Sequence, residues 1–347
     1  MIRFNCDYSE GAHPLILEKL IQTNLEQLPG YGQDTYCLQA ENLIKEKCQA
    51  PHAAVHFLSG GTQTNLTVLA ALLRPYQCVI SADSGHINVH ETGAIERTGH
   101  RILTVPNQDG KVTAEQISHL CKSHWQDDNP EFAPQPKAVY LSFPTEMGTL
   151  YSKAELTALR RVCDENNLYL FIDGARLGYA LAADKNDVTL PDLAACCDAF
   201  YIGGTKLGAL LGEAVVIPNL KLQKDFRYFM KQHGALLAKG RILGIQFLTL
   251  FTDDLYLQLA AHANRMAALI CAACEKAGFE FLCHSPTNQQ FFILPNSVLK
   301  KLEPLYVFSH VCPVGRDKTA IRICTSWATR EEDVRQLCAD LKRLGGK

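Results

Sequence analysis

The sequence predicts an α/β protein built on a mainly parallel sheet, and three observations carry the prediction. Short apolar runs rich in strand formers alternate with helix-periodic segments, which implies βαβ crossovers and a sheet sandwiched by helices. Two of these runs stop abruptly in polar groups: Leu168 to Ile172 in Asp173-Gly174-Ala175-Arg176, and Ala199 to Ile202 in Gly203-Gly204-Thr205-Lys206. From about Ala235 the texture changes to long helical stretches followed by a smaller α/β region.

Residues 1–15 read as an extended arm, because Gly11 and Pro14 interrupt any helix before the apolar periodicity of Leu15 to Ile21. A turn-rich loop, Pro29 to Asp34, precedes a helical segment from Tyr36 to Cys48, and Ala53 to Leu58 reads as a buried strand. Ser59-Gly60-Gly61-Thr62 then leads into the helical run Leu66 to Leu73. A strand feeding a small-residue turn that opens a helix presents free backbone N–H groups beside the positive end of the helix dipole, which suits a phosphate, and the Thr62 hydroxyl adds a donor. The segment matches neither the P-loop nor the G-x-G-x-x-G pattern.

Further strands are expected at Cys78–Ile80, Ile102–Val105, Ala138–Leu141, Leu168–Ile172, Ala199–Ile202 and Ala214–Ile217, with helices such as Thr113–His124 and Lys153–Asn166 between them. Residues 16–240 form the expected large domain. The small domain, 241–347, takes in nearly all of a long helix from Lys239 to Phe251. It holds a second helix, Asp254–Ala277, strands near Phe279–Leu282, Gln290–Leu294 and Ala320–Cys324, and a last helix Arg330–Leu344.

Composition narrows the function classes. Of the 347 residues 47% are hydrophobic and 20% charged, and 34 Lys and Arg nearly balance 36 Asp and Glu, so no global field favours nucleic acid or an anionic membrane. The N-terminal residues lack the apolar core of a signal peptide, and no run reaches the roughly 20 apolar residues of a membrane span, which places the chain in the cytoplasm with a small-molecule ligand. Fourteen cysteines in mostly apolar segments read as free buried thiols. Cys271 and Cys274 have C-x-x-C spacing but lie in a helical pattern without a second pair, and His86 and His90 lack a third ligand, so no metal is expected.

In open α/β sheets the ligand crevice lies off the carboxyl ends of the strands, so Asp173 and Lys206 are expected to face one site. A phosphate cradle, an Asp at one strand end and a Lys at another are what pyridoxal phosphate requires. The lysine amine forms a Schiff base with the aldehyde, and the carboxylate keeps the pyridine nitrogen protonated so that the ring accepts electrons.

The order of Ser59-Gly60-Gly61-Thr62, Ala82-Asp83-Ser84-Gly85-His86, Ile172-Asp173-Gly174-Ala175-Arg176, Gly203-Gly204-Thr205-Lys206 and Ile321-Arg322-Ile323-Cys324-Thr325 resembles the threonine aldolase and β-eliminating lyase family of fold-type-I pyridoxal-phosphate enzymes. The resemblance runs through nearly the whole chain and implies a transferase-like large domain with a smaller C-terminal α/β domain. It implies that Lys206 carries the Schiff base and that Asp173 pairs with the pyridinium. Gly60, Gly61, Thr62 and Thr205 then hold the cofactor, and His86 stacks on its ring opposite the small side chain of Ala175. Arg176 and Arg322 match the two arginines that grip the substrate carboxylate, a task for which a planar guanidinium fork is suited.

There are departures. Cys6 stands where the family commonly has Ser before the Asp of the arm, here Asp7. Ser142 to Thr149 replaces the usual Asn/His-containing loop after the fourth strand, near the substrate. Lys239 or Arg241 takes the place of an arginine in a glycine-rich stretch. The implied activity is aldol cleavage of a β-hydroxy-α-amino acid, L-threonine or L-allo-threonine, to glycine and an aldehyde, with His86 as first candidate for the group that takes the hydroxyl proton. The alternatives are β-elimination or transamination on the same scaffold, or a non-catalytic protein that binds cofactor or amino acids. The resemblance also implies an active site at a subunit interface, near the loop Tyr31 to Asp34, in a homodimer or homotetramer.

Overall fold

The structure, a computed structural model, describes residues 1–345. Its centre is a seven-stranded sheet of β2 (Ala54–Leu58), β3 (Gln77–Ala82), β4 (Arg101–Val105), β5 (Gln135–Ser142), β6 (Tyr169–Asp173), β7 (Ala199–Gly203) and β8 (Glu213–Ile217), following a short N-terminal β1 (Ile2–Arg3). The spatial order is β2-β8-β7-β6-β5-β3-β4. All pairings are parallel except the two made by β8, which runs against both β2 and β7. The expected parallel sheet is therefore present with one reversed strand. β3, β7 and β8 are buried along their whole length, as strands of mainly apolar residues are when helices cover both faces.

Alternation sorts the side chains between two cores. Leu170, Ile172, Phe200 and Ile202 enter the core on one face, whereas Phe171, Ala199 and Tyr201 enter that on the other, together with Tyr140 and with Val68, Leu69 and Leu72 of the helix Gly61–Leu72. Tyr140, Phe171 and Tyr201 form a row there, with ring centroids 5.8 and 6.3 Å apart. That helix begins at Gly61, five residues before the expected Leu66, so the glycine turn is its first turn.

The small domain carries an antiparallel sheet, β12-β13-β10-β9, from β9 (Glu280–Cys283), β10 (Gln289–Pro295), β12 (Ser309–Val314) and β13 (Lys318–Cys324). The helix Glu331–Leu344 seals it with Val334, Leu337 and Leu341. The sequence reading sets the small domain from residue 241, but helix Arg241–Phe251 sends Phe247, Leu250 and Phe251 into the large-domain core. The following helix, Leu255–Lys276, belongs to both: Tyr256 to Ala263 enter the large core, and Met266, Ile270 and Cys274 the small one. Periodicity marks such residues as buried without saying in which core.

The N-terminal arm joins the two domains. β1 pairs in parallel with β11 (Tyr306–Val307), and Phe4 enters the small-domain core and accepts a hydrogen bond from the Cys324 N–H at 2.7 Å. The chain then crosses to the large domain, where the His13 N–H donates to the Gly208 carbonyl and helix Pro14–Gln22 begins. The fourteen cysteines are free thiols. Among the described residues no helix is long and apolar enough to cross a membrane.

Candidate active site

The residues singled out by sequence converge because their strands point the same way. Ser59 to Thr62 follow β2, His86 follows β3, Ser142 ends β5 with Phe143 to Glu146 beyond it, Asp173 ends β6 with Gly174 to Arg176 beyond it, and Thr205 and Lys206 follow β7. β8, running the opposite way, brings its first residue, Glu213, to the same edge. A cavity of about 320 Å³ opens there, lined by Gly60, Gly61, Thr62, His86, Asp173, Ala175, Arg176, Thr205 and Lys206. Cys6 and Arg322 are not in its lining.

Two glycines let β6 and β7 end this close together. A Cβ on Gly174 would lie 1.9 Å from the Tyr201 carbonyl oxygen, and one on Gly203 would lie 2.4 Å from that of Ala175. The Gly203 N–H donates to the Gly174 carbonyl at 2.9 Å. The Asp-Gly-Ala-Arg and Gly-Gly-Thr-Lys segments are thus two sides of one backbone crossing.

Asp173 is buried and saturated. Its carboxylate accepts from Tyr140 Oη and Tyr201 Oη, each at 2.5 Å, from the Ala175 N–H at 2.9 Å and from Asn65 Nδ2 at 3.0 Å. Burial pushes its pKa up, but the neighbouring His86 and these donors outweigh burial and hold it below the ordinary carboxylate value. The sequence reading missed all three side chains. Tyr140 and Tyr201 look like strand-core aromatics, and Asn65 is marked only as a polar residue among the buried positions of a helix.

Lys206 makes no ion pair within the cavity wall. Burial and the Arg176 guanidinium push its amine down, against the opposing pull of Asp7, Glu213 and Asp173, which favours the neutral, nucleophilic form. Glu213 is a further residue the sequence reading passed over, a buried acid opening an otherwise apolar strand. It accepts a hydrogen bond from Thr205 Oγ1 at 2.9 Å, and its Oε2 has no partner. Burial drives its pKa up to about 8, against Lys206 and the Thr205 hydroxyl, which lower it. Thr205 also accepts from the Gly212 N–H at 3.0 Å, so its hydroxyl is committed to the β8 side.

His86 is anchored through Nδ1, 2.7 Å from the buried Glu91, and Asn65 Nδ2 also donates to that carboxylate at 2.7 Å. One network therefore joins His86, Glu91, Asn65 and Asp173. His90 lies beside it, ring centroids 5.5 Å apart.

The two arginines differ. Arg176 gives Nε and Nη2 to Asp7 at 2.7 and 2.9 Å, a bidentate pair in which the Asp7 side chain is fully buried and also accepts from Asn288 Nδ2 at 2.9 Å. Nη1 and the second N–H of Nη2 remain for an anion. Arg322 has no acidic partner: its contacts with Gln289, the Asn5 carbonyl and Ser309 span 3.3 to 3.4 Å, and Nε is buried without a partner. Cys6 Sγ lies 3.2 Å from Ser9 Oγ. Arg241 donates to the carbonyls of Glu26 and Asn24, away from the cavity, and Lys239 is exposed.

These features fit pyridoxal phosphate. The helix Gly61–Leu72 has Gly60 as N-cap with no side-chain cap, so its first N–H groups are free for a phosphate. Asp173 is held charged, Lys206 is held toward its neutral form, and both face the same cavity.

Comparison with known proteins agrees. A family model described as β-eliminating lyase matches residues 13–296. A low specificity L-threonine aldolase of Pseudomonas aeruginosa is 30% identical, covering 99% of this chain and 98% of that protein. The structure of a Leishmania major threonine aldolase superposes with a TM-score of 0.97 at 44% identity, covering 100% of both chains. A Thermus thermophilus aspartate aminotransferase, at 14% identity and a TM-score of 0.72 over 99% of this chain and 91% of its own, is alike in fold alone.

Two predictions follow from the buried charges. Asp7→Ala leaves the Arg176 guanidinium buried without its carboxylate, so a loss of about 3–5 kcal/mol is expected, read from the urea midpoint. Burial raises the pKa of Glu213 in the fold, so the stability it contributes is complete below the ordinary glutamate pKa and is lost as pH rises through about 8. Lys206, with its pKa depressed, works in the opposite direction. Glu213→Gln removes only the first effect; melting temperatures from pH 5 to 9 should show the variant gaining on the wild type, and parallel curves would contradict the assignment.

Proposed function

Because the chain belongs to the β-eliminating lyase family, we propose that it uses pyridoxal 5′-phosphate to cleave a β-hydroxy-α-amino acid, L-threonine or L-allo-threonine, to glycine and an aldehyde. The observation that carries the reading is that Asp173 and Lys206 line one cavity, the first supplied with four hydrogen-bond donors and the second without an ion pair in the cavity wall. The relatives named as threonine aldolases support the choice of bond.

When bound, the cofactor supplies an aldehyde for covalent attachment and a pyridinium ring that takes up the electron pair released at Cα. Lys206 would provide the amine for that attachment. Asp173 would keep the ring nitrogen protonated, the N–H groups of Gly61 and Thr62 would hold the phosphate, and the small Ala175 would leave room for the ring. His86, fixed by Glu91, would pack against the ring. Arg322, underbonded as it stands, takes the substrate carboxylate, with Nη1 of Arg176 as a second donor. Cys6, next to Asp7 in the arm, is read as a lesser neighbour of that carboxylate.

The decisive experiment incubates the holoenzyme with L-threonine, L-allo-threonine, serine and cysteine and assays every product. Acetaldehyde and glycine from either threonine are expected, and pyruvate with ammonia from serine or cysteine would favour β-elimination instead. Lys206→Ala should abolish turnover, and borohydride reduction should leave a pyridoxyl group on Lys206 of the wild type. Its absence would point to a non-catalytic protein.

We also read the chain as a cytoplasmic homodimer or homotetramer. The loop Tyr31 to Asp34 borders a cleft with Arg227 and Leu237, and Leu15, Leu17, Ile21, Leu38 and Leu210 are exposed apolar side chains of the same domain. Sedimentation is expected to find no active monomer.

A further inference from the structure

Glu146 is a half-buried acid of the cavity wall with no part in the reaction as assigned so far. It sits in the Ser142 to Thr149 loop. Its Oε1 accepts from Ser142 Oγ at 2.6 Å and from the backbone N–H of His86 at 2.8 Å. All its hydrogen bonds fall on that oxygen. Oε2 has no partner among the described residues, and unlike Oε2 of Glu213 it is not a buried orphan. The other carboxylates at this edge are engaged differently: Asp173 is saturated, Glu91 is tied to His86 and Asn65, and Glu213 lies beside Lys206 with its second oxygen sealed off.

A carboxylate pinned at one oxygen and open at the other is a fixed proton acceptor. Burial raises the pKa of Glu146, which makes it a stronger base than a solvated carboxylate. His86, the sequence-based candidate for the same task, has Nδ1 engaged by Glu91 and is assigned to the ring face.

We propose that Glu146 is the catalytic base that takes the proton of the substrate β-hydroxyl. The inference rests on the aldol-cleavage reading. As the O–H bond breaks, its proton passes to Glu146 and its electron pair becomes the second C–O bond of the aldehyde. The Cα–Cβ bond breaks, its pair is released at Cα, and a solvent proton added there completes glycine. Glu146 then returns its proton to solvent, so protons and electrons balance.

The test compares two reactions of the same holoenzyme: threonine cleavage, which needs the hydroxyl proton removed, and exchange of a glycine Cα proton for deuterium, which involves no hydroxyl. Glu146→Gln keeps an acceptor for Ser142 and the His86 N–H. It is expected to lower kcat for cleavage by about 100-fold, with KM, glycine exchange and the visible absorbance of the bound cofactor all within about threefold. His86→Ala is the comparator; acting through the ring, it should slow both reactions together. Undiminished cleavage by Glu146→Gln, or an equal fall in both of its reactions, would overturn the assignment to Glu146 alone. A wild type that exchanges glycine but cleaves neither threonine would overturn the aldolase reading and, with it, this one.

Discussion

The site depends on keeping one carboxylate ionised in a place from which water is nearly excluded. An uncompensated buried charge neutralises or is not tolerated, so Asp173 needs donors from several directions at once. They come from the strands on either side of β6, from the helix Gly61–Leu72 packed over that face, and from the backbone just beyond Asp173 itself. Each donor is also a structural member: Tyr140 and Tyr201 flank Phe171 in the aromatic row, and the helix bearing Asn65 offers its N-terminus to a phosphate. The same few elements therefore fix the helix start, Asp173 and Lys206 relative to one another at one sheet edge.

Electrostatics divides the remaining polar groups into committed and available ones. Arg176 spends most of its fork on Asp7, which ties arm, large domain and Asn288 of the small domain at one point. Arg322 holds only long contacts and keeps a donor free. The Arg176 pair is the costlier of the two to disturb, because displacing Asp7 would strand a fully buried charge.

Most of the central sheet was legible from apolar runs, and the pair Asp173 and Lys206 from the way two of those runs end. What stayed hidden has physical reasons. β1 and β11 are two residues each, and β12 is a largely exposed edge with Pro313 in it, so none carries a strand's hydrophobic signature. Tyr140, Tyr201 and Asn65 are conspicuous only once their hydroxyl and amide groups are seen to converge, and the two tyrosines are ordinary aromatics in apolar strands. Glu213 and Glu146 carried a fainter signal, an acid at the head of a buried strand and an acid in a loop already marked as unusual. The commitment of Arg176 to Asp7 spans 169 positions and leaves no local trace.

The N-terminal arm also imposes an order of events. Residues 2–7 leave the ribosome long before their partners exist: β11, the carbonyl-bonded Cys324 and the amide of Asn288 are made some 300 residues later. During synthesis Asp7 and Arg176 can meet, but the strand that anchors the arm forms only once Tyr306 and Val307 have been made, so the junction of the two domains is among the last parts of the fold to close.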